Sequence, residues 1–161
     1  MLASALALAA FAATAASPRT LAARGSWAAF DRMSQCEAVT RALLPEDVRR
    51  PATVLTFLYD RSGRRNGELS IRFRRPLREG SSVILTVGQQ PFDLIARGQA
   101  AWSRGPAQEA AIVSAVRAAS GARVTSRDQA GRRMTDRFLL NGAPTAIDAA
   151  AAACAIAPLR P

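Results

Sequence analysis

Alternating apolar and polar side chains mark the clearest strand of the chain, at residues 68–75. Leu69, Ile71 and Phe73 alternate with charged or hydroxyl side chains, so one face of this segment is apolar and the other is polar. A period of two is typical of a β-strand that covers a core on one side and meets water on the other. We therefore predict a strand here whose apolar face holds a sheet together.

Seven further strands are predicted along the chain, most of them separated by turns that contain glycine or proline. They cover residues 26–31, 36–43, 53–60, 83–88, 91–98, 122–127 and 133–140. The connections between 53–60, 68–75 and 83–88 are short, so we expect these three to form an antiparallel meander. Parallel winding is disfavoured, because the strands come as hairpins rather than alternating with helices.

Two alanine-rich helices are predicted, at about 106–120 and 144–155. Pro106 suits the first turn of the first helix, and Gly121 is placed to end it. In the second helix the apolar positions recur at helical spacing and include Cys154, so this cysteine should face the core. The fold class expected is mainly β: an antiparallel, β-sandwich-like single domain over residues 26–157, with a partly closed barrel as the alternative.

The first residues have the composition of a targeting segment. Residues 2–16 carry no charge, and Ala13-Thr14-Ala15 offers the small-x-small pattern of a cleavage site. We predict a signal peptide at 1–16 and a flexible mature N-terminus at 17–25. A short membrane anchor or a buried helix is the alternative, but a spanning helix needs about 20 apolar residues. The mature protein is thus expected to be periplasmic or secreted, with no transmembrane anchor.

Export would allow the two cysteines, Cys36 and Cys154, to form a disulfide bond. An oxidising compartment permits a disulfide bond, and with two candidates the pairing is forced if a bond forms. Two buried free thiols are the alternative. A bond would connect the last helix to one of the first strands.

The charge is one-sided, and the composition excludes most catalytic schemes. The 22 basic residues are all arginine, the net charge is +10, and the chain has no lysine and no histidine. The commonest general base, the commonest metal ligand and Schiff-base chemistry are therefore missing. No glycine-rich phosphate loop is present either. We expect no catalytic residues, no metal and no cofactor.

Carboxylate chemistry alone remains open, as a less favoured function. A hydrolase acting on cell-wall glycans would need two suitably placed carboxylates. The adjacent pair Glu46 and Asp47 reads as a solvated loop beside arginines. The other candidates have unknown separations, and most have an arginine nearby in sequence, which indicates ordinary surface pairing. They are Asp60, Glu68, Asp93, Asp128 and Asp136.

The densest positive charge suggests a candidate binding site for an acidic polymer. It comprises Arg64, Arg65, Arg72 and Arg74. If the strand turns its apolar side inward, Arg72 and Arg74 should project to solvent together, with the other two at the turn beside them. Guanidinium groups suit phosphate and carboxylate ligands. A solvated face that protects a sheet edge is the alternative. Aromatic residues for base stacking are scarce, so nucleic acid is not expected as a partner.

Several short motifs resemble the invasion-associated locus B family of exported alphaproteobacterial proteins. They are Gly25-Ser26-Trp27, Cys36-Glu37-Ala38, the stretch 75–80 before the strand at 83–87, Gln90-Pro91-Phe92, and the ending 138–149 with Cys154. The resemblance covers nearly the whole mature chain. Family members often have two more cysteines, whereas the corresponding regions, 28–30 and 93–102, have none here. One disulfide bond rather than two is therefore implied.

The resemblance implies an exported, β-rich envelope protein with no established catalytic residues. The function expected from it is non-enzymatic binding in the periplasm or at the outer surface, to an envelope or host component. The alternative is a secreted, adhesin-like binder of acidic glycans or other polyanions.

Overall fold

The computed structural model describes residues 17–43 and 51–155, and over these residues the chain forms ten β-strands and two α-helices. The strands are β1 (Arg19–Arg24), β2 (Trp27–Arg32), β3 (Gln35–Arg41), β4 (Val54–Asp60), β5 (Asn66–Arg72), β6 (Val83–Val87), β7 (Gln90–Arg97), β8 (Ala100–Trp102), β9 (Gly121–Arg127) and β10 (Arg133–Leu139). The helices are α1 (Pro106–Ala118) and α2 (Ala143–Cys154). The expected fold class, a mainly β, antiparallel single domain with two short helices, is confirmed.

All ten strands belong to one sheet, in the order β1-β2-β3-β4-β5-β8-β7-β6-β9-β10. The first five follow the chain, but β5 pairs with β8, and β6 pairs with β7 and β9. The expected meander is therefore right for β4–β5 and wrong for the third strand. The segment 73–82 is held against the turn between β7 and β8, since Leu77 N–H donates to Gly98 O at 2.8 Å. The segment therefore runs past the β7–β8 hairpin, and β6 pairs with β7 on the side away from β8.

The sheet curls so that β10, its last strand, returns to the strands near the beginning of the chain. Leu43 N–H donates to Arg137 O at 2.8 Å, and Trp27 Nε1–H donates to Leu139 O at 2.9 Å. These bonds partly close the sheet, because they join its far edge to the ends of β2 and β3. The result is sandwich-like, built from one bent sheet.

Both helices cover the apolar face of the sheet. Helix α2 packs on β1 to β4, and α1 packs mainly on β5. Leu69 and Ile71 are fully buried and Phe73 is 1% exposed, so the predicted apolar face of the strand at 68–75 is confirmed. Regular pairing ends one residue before Phe73, at Arg72.

A disulfide bond joins Cys36 in β3 to Cys154 at the end of α2. Their Cα atoms are 5.8 Å apart, and both residues are buried. The predicted bond is confirmed, and it ties the C-terminal helix to the third strand.

The expectation of a flexible segment at 17–25 is corrected, because Arg19–Arg24 form β1. The sheet register pairs this strand with β2, and α2 packs against it. Strand β8 was not expected, since three residues are too short to show a period. The helix ends differ from the expected ones by one or two residues.

Three sequence expectations lie outside the described residues. They are the signal peptide at 1–16, the solvated loop with Glu46 and Asp47, and the domain end at 156–157. Within the described ranges, no helix has the length and hydropathy required to cross a membrane.

Candidate functional site

The four arginines proposed from the sequence do not form one patch. Arg64 and Arg65 precede the first residue of β5, and Arg72 is its last residue. A strand rises about 3.3 Å per residue, so the two ends of β5 are about 20 Å apart. The expectation that the turn arginines lie beside Arg72 is therefore wrong.

Arg74 is largely buried rather than exposed beside Arg72. Its side chain is 20% exposed, and its Nε lies 3.5 Å from Oδ1 of Asp136, a carboxylate that is 2% exposed. Asp136 Oδ2 also accepts a hydrogen bond from Thr53 Oγ1 at 2.8 Å. The alternation of β5 ends at Arg72, so Arg74 joins the contact between β10 and the start of β4. It contributes to the fold here and is removed from the solvent face.

Arg64 and Arg65 stabilise the turn between β4 and β5. Arg65 Nε is 3.5 Å from Glu68 Oε2, and Arg64 Nε–H donates to Ser62 Oγ at 3.1 Å. Asp60 accepts hydrogen bonds from Ser62 Oγ and from Arg64 N–H, and these bonds lower the pKa of its carboxyl, the hydroxyl of Ser62 most. Both arginines are exposed, but they belong to the local turn.

Arg72 instead belongs to a row of exposed arginines that crosses the sheet. It pairs with Val54 of β4 and with Ala100 of β8. Val54 in turn pairs with Arg41, and Ala100 with Arg97. Residues directly opposite each other on paired strands project to the same side of a sheet. Arg41, Arg72 and Arg97 therefore share one face, and we call them the arginine row.

The members of the arginine row lie on every second strand of the sheet, and their side chains are available to a ligand. Strands lie about 4.8 Å apart, so successive members are about 10 Å apart. All three residues are exposed, and over the described ranges none has an acidic group within ion-pair distance. The side chains between them, Val54 and Ala100, are small or apolar. Among the described residues, the row is thus a line of positive charge without acidic partners.

A partly apolar row runs beside the arginine row on the same face. In it, Ser70 pairs with Trp102, and Trp102 pairs with Ile95. Trp102 is only partly buried and Ile95 is 39% exposed. This face is opposite the one that α1 and α2 cover, which explains why these apolar side chains reach solvent.

A cleft of about 740 Å³ opens between strands β7–β8 and the segment 77–82. Ile95 and Trp102 supply apolar surface, and Arg78 and Arg97 supply positive charge. We call it the Trp102 cleft. Its volume lies within the roughly 300–1,000 Å³ of small-molecule sites.

The charges of the Trp102 cleft are partly compensated. Arg104 Nη2 lies 2.5 Å from Asp93 Oδ2, so this arginine and this carboxylate neutralise each other. The exposed Glu79 also lines the cleft. Arg78 and Arg97 have no ion-pair partner in the part of the chain that the structure describes, which leaves two free cations facing one free carboxylate.

The carboxylates serve mainly as partners of arginines. Of the ten that the structure describes, seven lie within 4.0 Å of an arginine nitrogen. Asp128 and Asp136 are buried, so the expectation of surface pairing is wrong for them. Asp128 contacts Arg132 and Arg75, and Arg132 above all lowers the pKa of its carboxyl. Across the described ranges, no three metal-ligating side chains come together.

Sequence reasoning missed Arg41, Arg97 and Trp102. Each lies in the outward phase of its strand. For Arg41 and Arg97 this phase is visible in the alternation of their neighbours, whereas the three residues of β8 are too few to show it for Trp102. The alternation does not show which strands are adjacent, so the row could not be assembled from it.

Comparisons with known proteins bear on the fold. The sequence matches no protein-family model and no curated protein. The structure is similar to the crystal structure of invasion-associated protein B from Bartonella henselae, with a TM-score of 0.62 and 18% sequence identity. The match covers 84% of this chain and 97% of the other. The chain therefore has the fold of invasion-associated protein B, as the resemblance of its sequence implied.

Proposed function

We propose that this chain is an exported, non-enzymatic protein of the cell envelope, and that it binds an acidic polymer along the arginine row. The row itself carries this proposal: three exposed arginines at regular intervals, on one open face, without acidic neighbours in the described structure. Planar guanidinium groups bind carboxylates, sulfates and phosphates through paired hydrogen bonds. A regular line of them fits an extended chain of negative charges better than a single small anion.

Two further observations support export and a non-enzymatic role. The bond between Cys36 and Cys154 favours an oxidising compartment, because cytosolic thiols are normally kept reduced. Most described carboxylates are held by arginines, which disfavours a hydrolase that needs a free pair. Turnover of cell-wall glycans that is lost when Asp60 or Glu79 is changed would favour that alternative.

The row is tested by retention on a heparin resin, with charge-matched variants. Arg41→Ser/Arg72→Ser removes two row members and should elute at clearly lower salt. Arg123→Ser/Arg133→Ser removes two exposed arginines of β9 and β10 and lowers the net charge by the same amount. It should elute closer to the wild type than Arg41→Ser/Arg72→Ser does, with only the small shift that the loss of net charge causes. In binding assays, each lost contact should reduce the slope of log Kd against log salt by about one.

Equal elution of the two double variants would contradict the proposed site, because the arginines of β9 and β10 would then contribute as much to binding as the row. Cell fractionation then separates two places of action. Retention in the periplasm would favour envelope maintenance. Recovery at the surface or in the medium would favour an adhesin-like role, with an acidic host or envelope glycan as partner.

A further inference from the structure

We infer that the Trp102 cleft binds a sugar ring, so that the acidic polymer taken by the arginine row is a polysaccharide of acidic sugars. This inference rests on the proposed function and names its ligand class. The cleft and the row share Arg97, so a single chain that follows the row enters the cleft at its end. The ligand is thereby defined by two features, a repeated negative charge and a ring.

The indole of Trp102 provides the surface for the ring. It lies between Ser70 and Ile95 on the open face, and it lines the cleft. The other tryptophan, Trp27, is 2% exposed and stacks on Phe57 in the core. A large aromatic side chain that is left accessible beside an exposed isoleucine offers a flat apolar surface with an electron-rich face, on which the C–H groups of one face of a sugar ring can pack.

Arginines around the cleft supply recognition of an acidic group on that ring. Arg97 stands at one side, on β7, and Arg78 on the segment across the opening. Arg104 is already paired with Asp93, so it adds little charge, and it links strand β7 to the start of α1 instead. Apolar walls with a few charged groups are the usual composition of a ligand site.

Other acidic polymers fit the site less well. Single-stranded nucleic acid needs successive aromatic platforms, whereas the cleft has one. An anionic membrane is bound by apolar side chains that protrude from a surface, whereas Trp102 lines a concavity. Acidic polypeptides would satisfy the arginine row but present no ring to the tryptophan. The disulfide bond also favours a compartment in which glycans are abundant partners.

The test compares three probes of matched length: oligogalacturonate, polyglutamate and a neutral glucan. Wild-type protein should bind oligogalacturonate about tenfold more tightly than polyglutamate, and the neutral glucan more weakly than either. Because Trp27 is buried, a change in tryptophan fluorescence on binding reports on Trp102. The fluorescence should therefore change with oligogalacturonate, which has sugar rings, and not with polyglutamate, which has none.

Two substitutions of Trp102 distinguish stacking on an aromatic ring from contact with any apolar side chain. Trp102→Leu should remove the tenfold preference and leave polyglutamate binding unchanged, whereas Trp102→Phe should retain most of it. Thermal unfolding checks both variants, and the fluorescence of the wild type remains informative if Trp102→Leu does not fold. An equal affinity of the wild type for both acidic probes, or tighter binding of single-stranded DNA or anionic vesicles, would overturn the inference.

The proposed function and the sugar inference can be tested independently of each other. Arg41 and Arg72 do not line the cleft. If Arg41→Ser/Arg72→Ser leaves the binding of every acidic probe unchanged, the proposed function fails. If that variant weakens both acidic probes while Trp102→Leu has no effect, the proposed function stands and the sugar inference fails.

Discussion

The disulfide bond should provide a large part of the stability of this protein. It connects β3 to the last residue of α2 across a sequence separation of 118. Both cysteines are buried, and the helix that the bond holds covers β1 to β4. The perturbation that tests this is Cys36→Ala/Cys154→Ala, which removes the bond and leaves no free thiol.

The magnitude follows from the length of the closed loop. In the chain-entropy model, a bond across this separation restricts the unfolded chain by about 5 kcal/mol. Native domains are stable by about 5–15 kcal/mol, so the double variant should lose a third or more of its stability. At roughly 2–4 °C per kcal/mol for a chain of this size, the Tm should fall by about 10–20 °C.

Urea denaturation followed by circular dichroism measures the effect. The reduced wild-type protein is the matched control, because it keeps both sulfur atoms in the core and lacks only the covalent bond. The double variant and the reduced protein should lose similar free energies of unfolding, with larger m values than the oxidised protein. A loss below about 1 kcal/mol in both would refute the reasoning, since the loop would then be restricted by other means.

Three further outcomes are expected. Arg74→Ser leaves a buried carboxylate without its cation and should lower the free energy of unfolding in urea by about 3 kcal/mol, whereas an unchanged value would contradict the burial of this pair. Burial raises the pKa of Tyr59, the single tyrosine, to about 12. Because the unfolded chain releases this proton near pH 10, stability should fall between about pH 10 and 12, and a tyrosinate absorbance midpoint near 10 in folded protein would refute this. Gly142→Ala should cost more than about 2 kcal/mol, since its Cβ would lie 1.9 Å from Arg24 O, whereas Gly98→Ala meets no atom within 4 Å and should cost only the strain of its positive φ.

Local alternation was enough to predict most of the fold. Side-chain direction alternates with every residue of a strand, so the buried side of β5, with Leu69, Ile71 and Phe73, is visible in a short stretch of sequence. The two helices follow from alanine-rich composition, with proline near the start of each. With two cysteines in the chain, the pairing had one possible form, and the structure shows that bond.

The candidate site depended on information that no local pattern contains. In sequence the neighbours of Arg72 are Arg64, Arg65 and Arg74, but its neighbours on the face are Arg41 and Arg97, which are distant in sequence. Arg74 follows the same alternation as Arg72, yet it turns inward, because β5 ends between them and Asp136 arrives from β10.

The sequence by itself thus determined most of the residues that face the core, that cysteine pairing had a single form, and that positive charge is carried by arginine alone. Tertiary structure decided which outward residues meet. The physical reason is the path of segment 73–82, whose hydrogen bonds to the β7–β8 turn place that hairpin next to β5. Strand order is set by such long-range contacts, whereas side-chain phase is set within each strand.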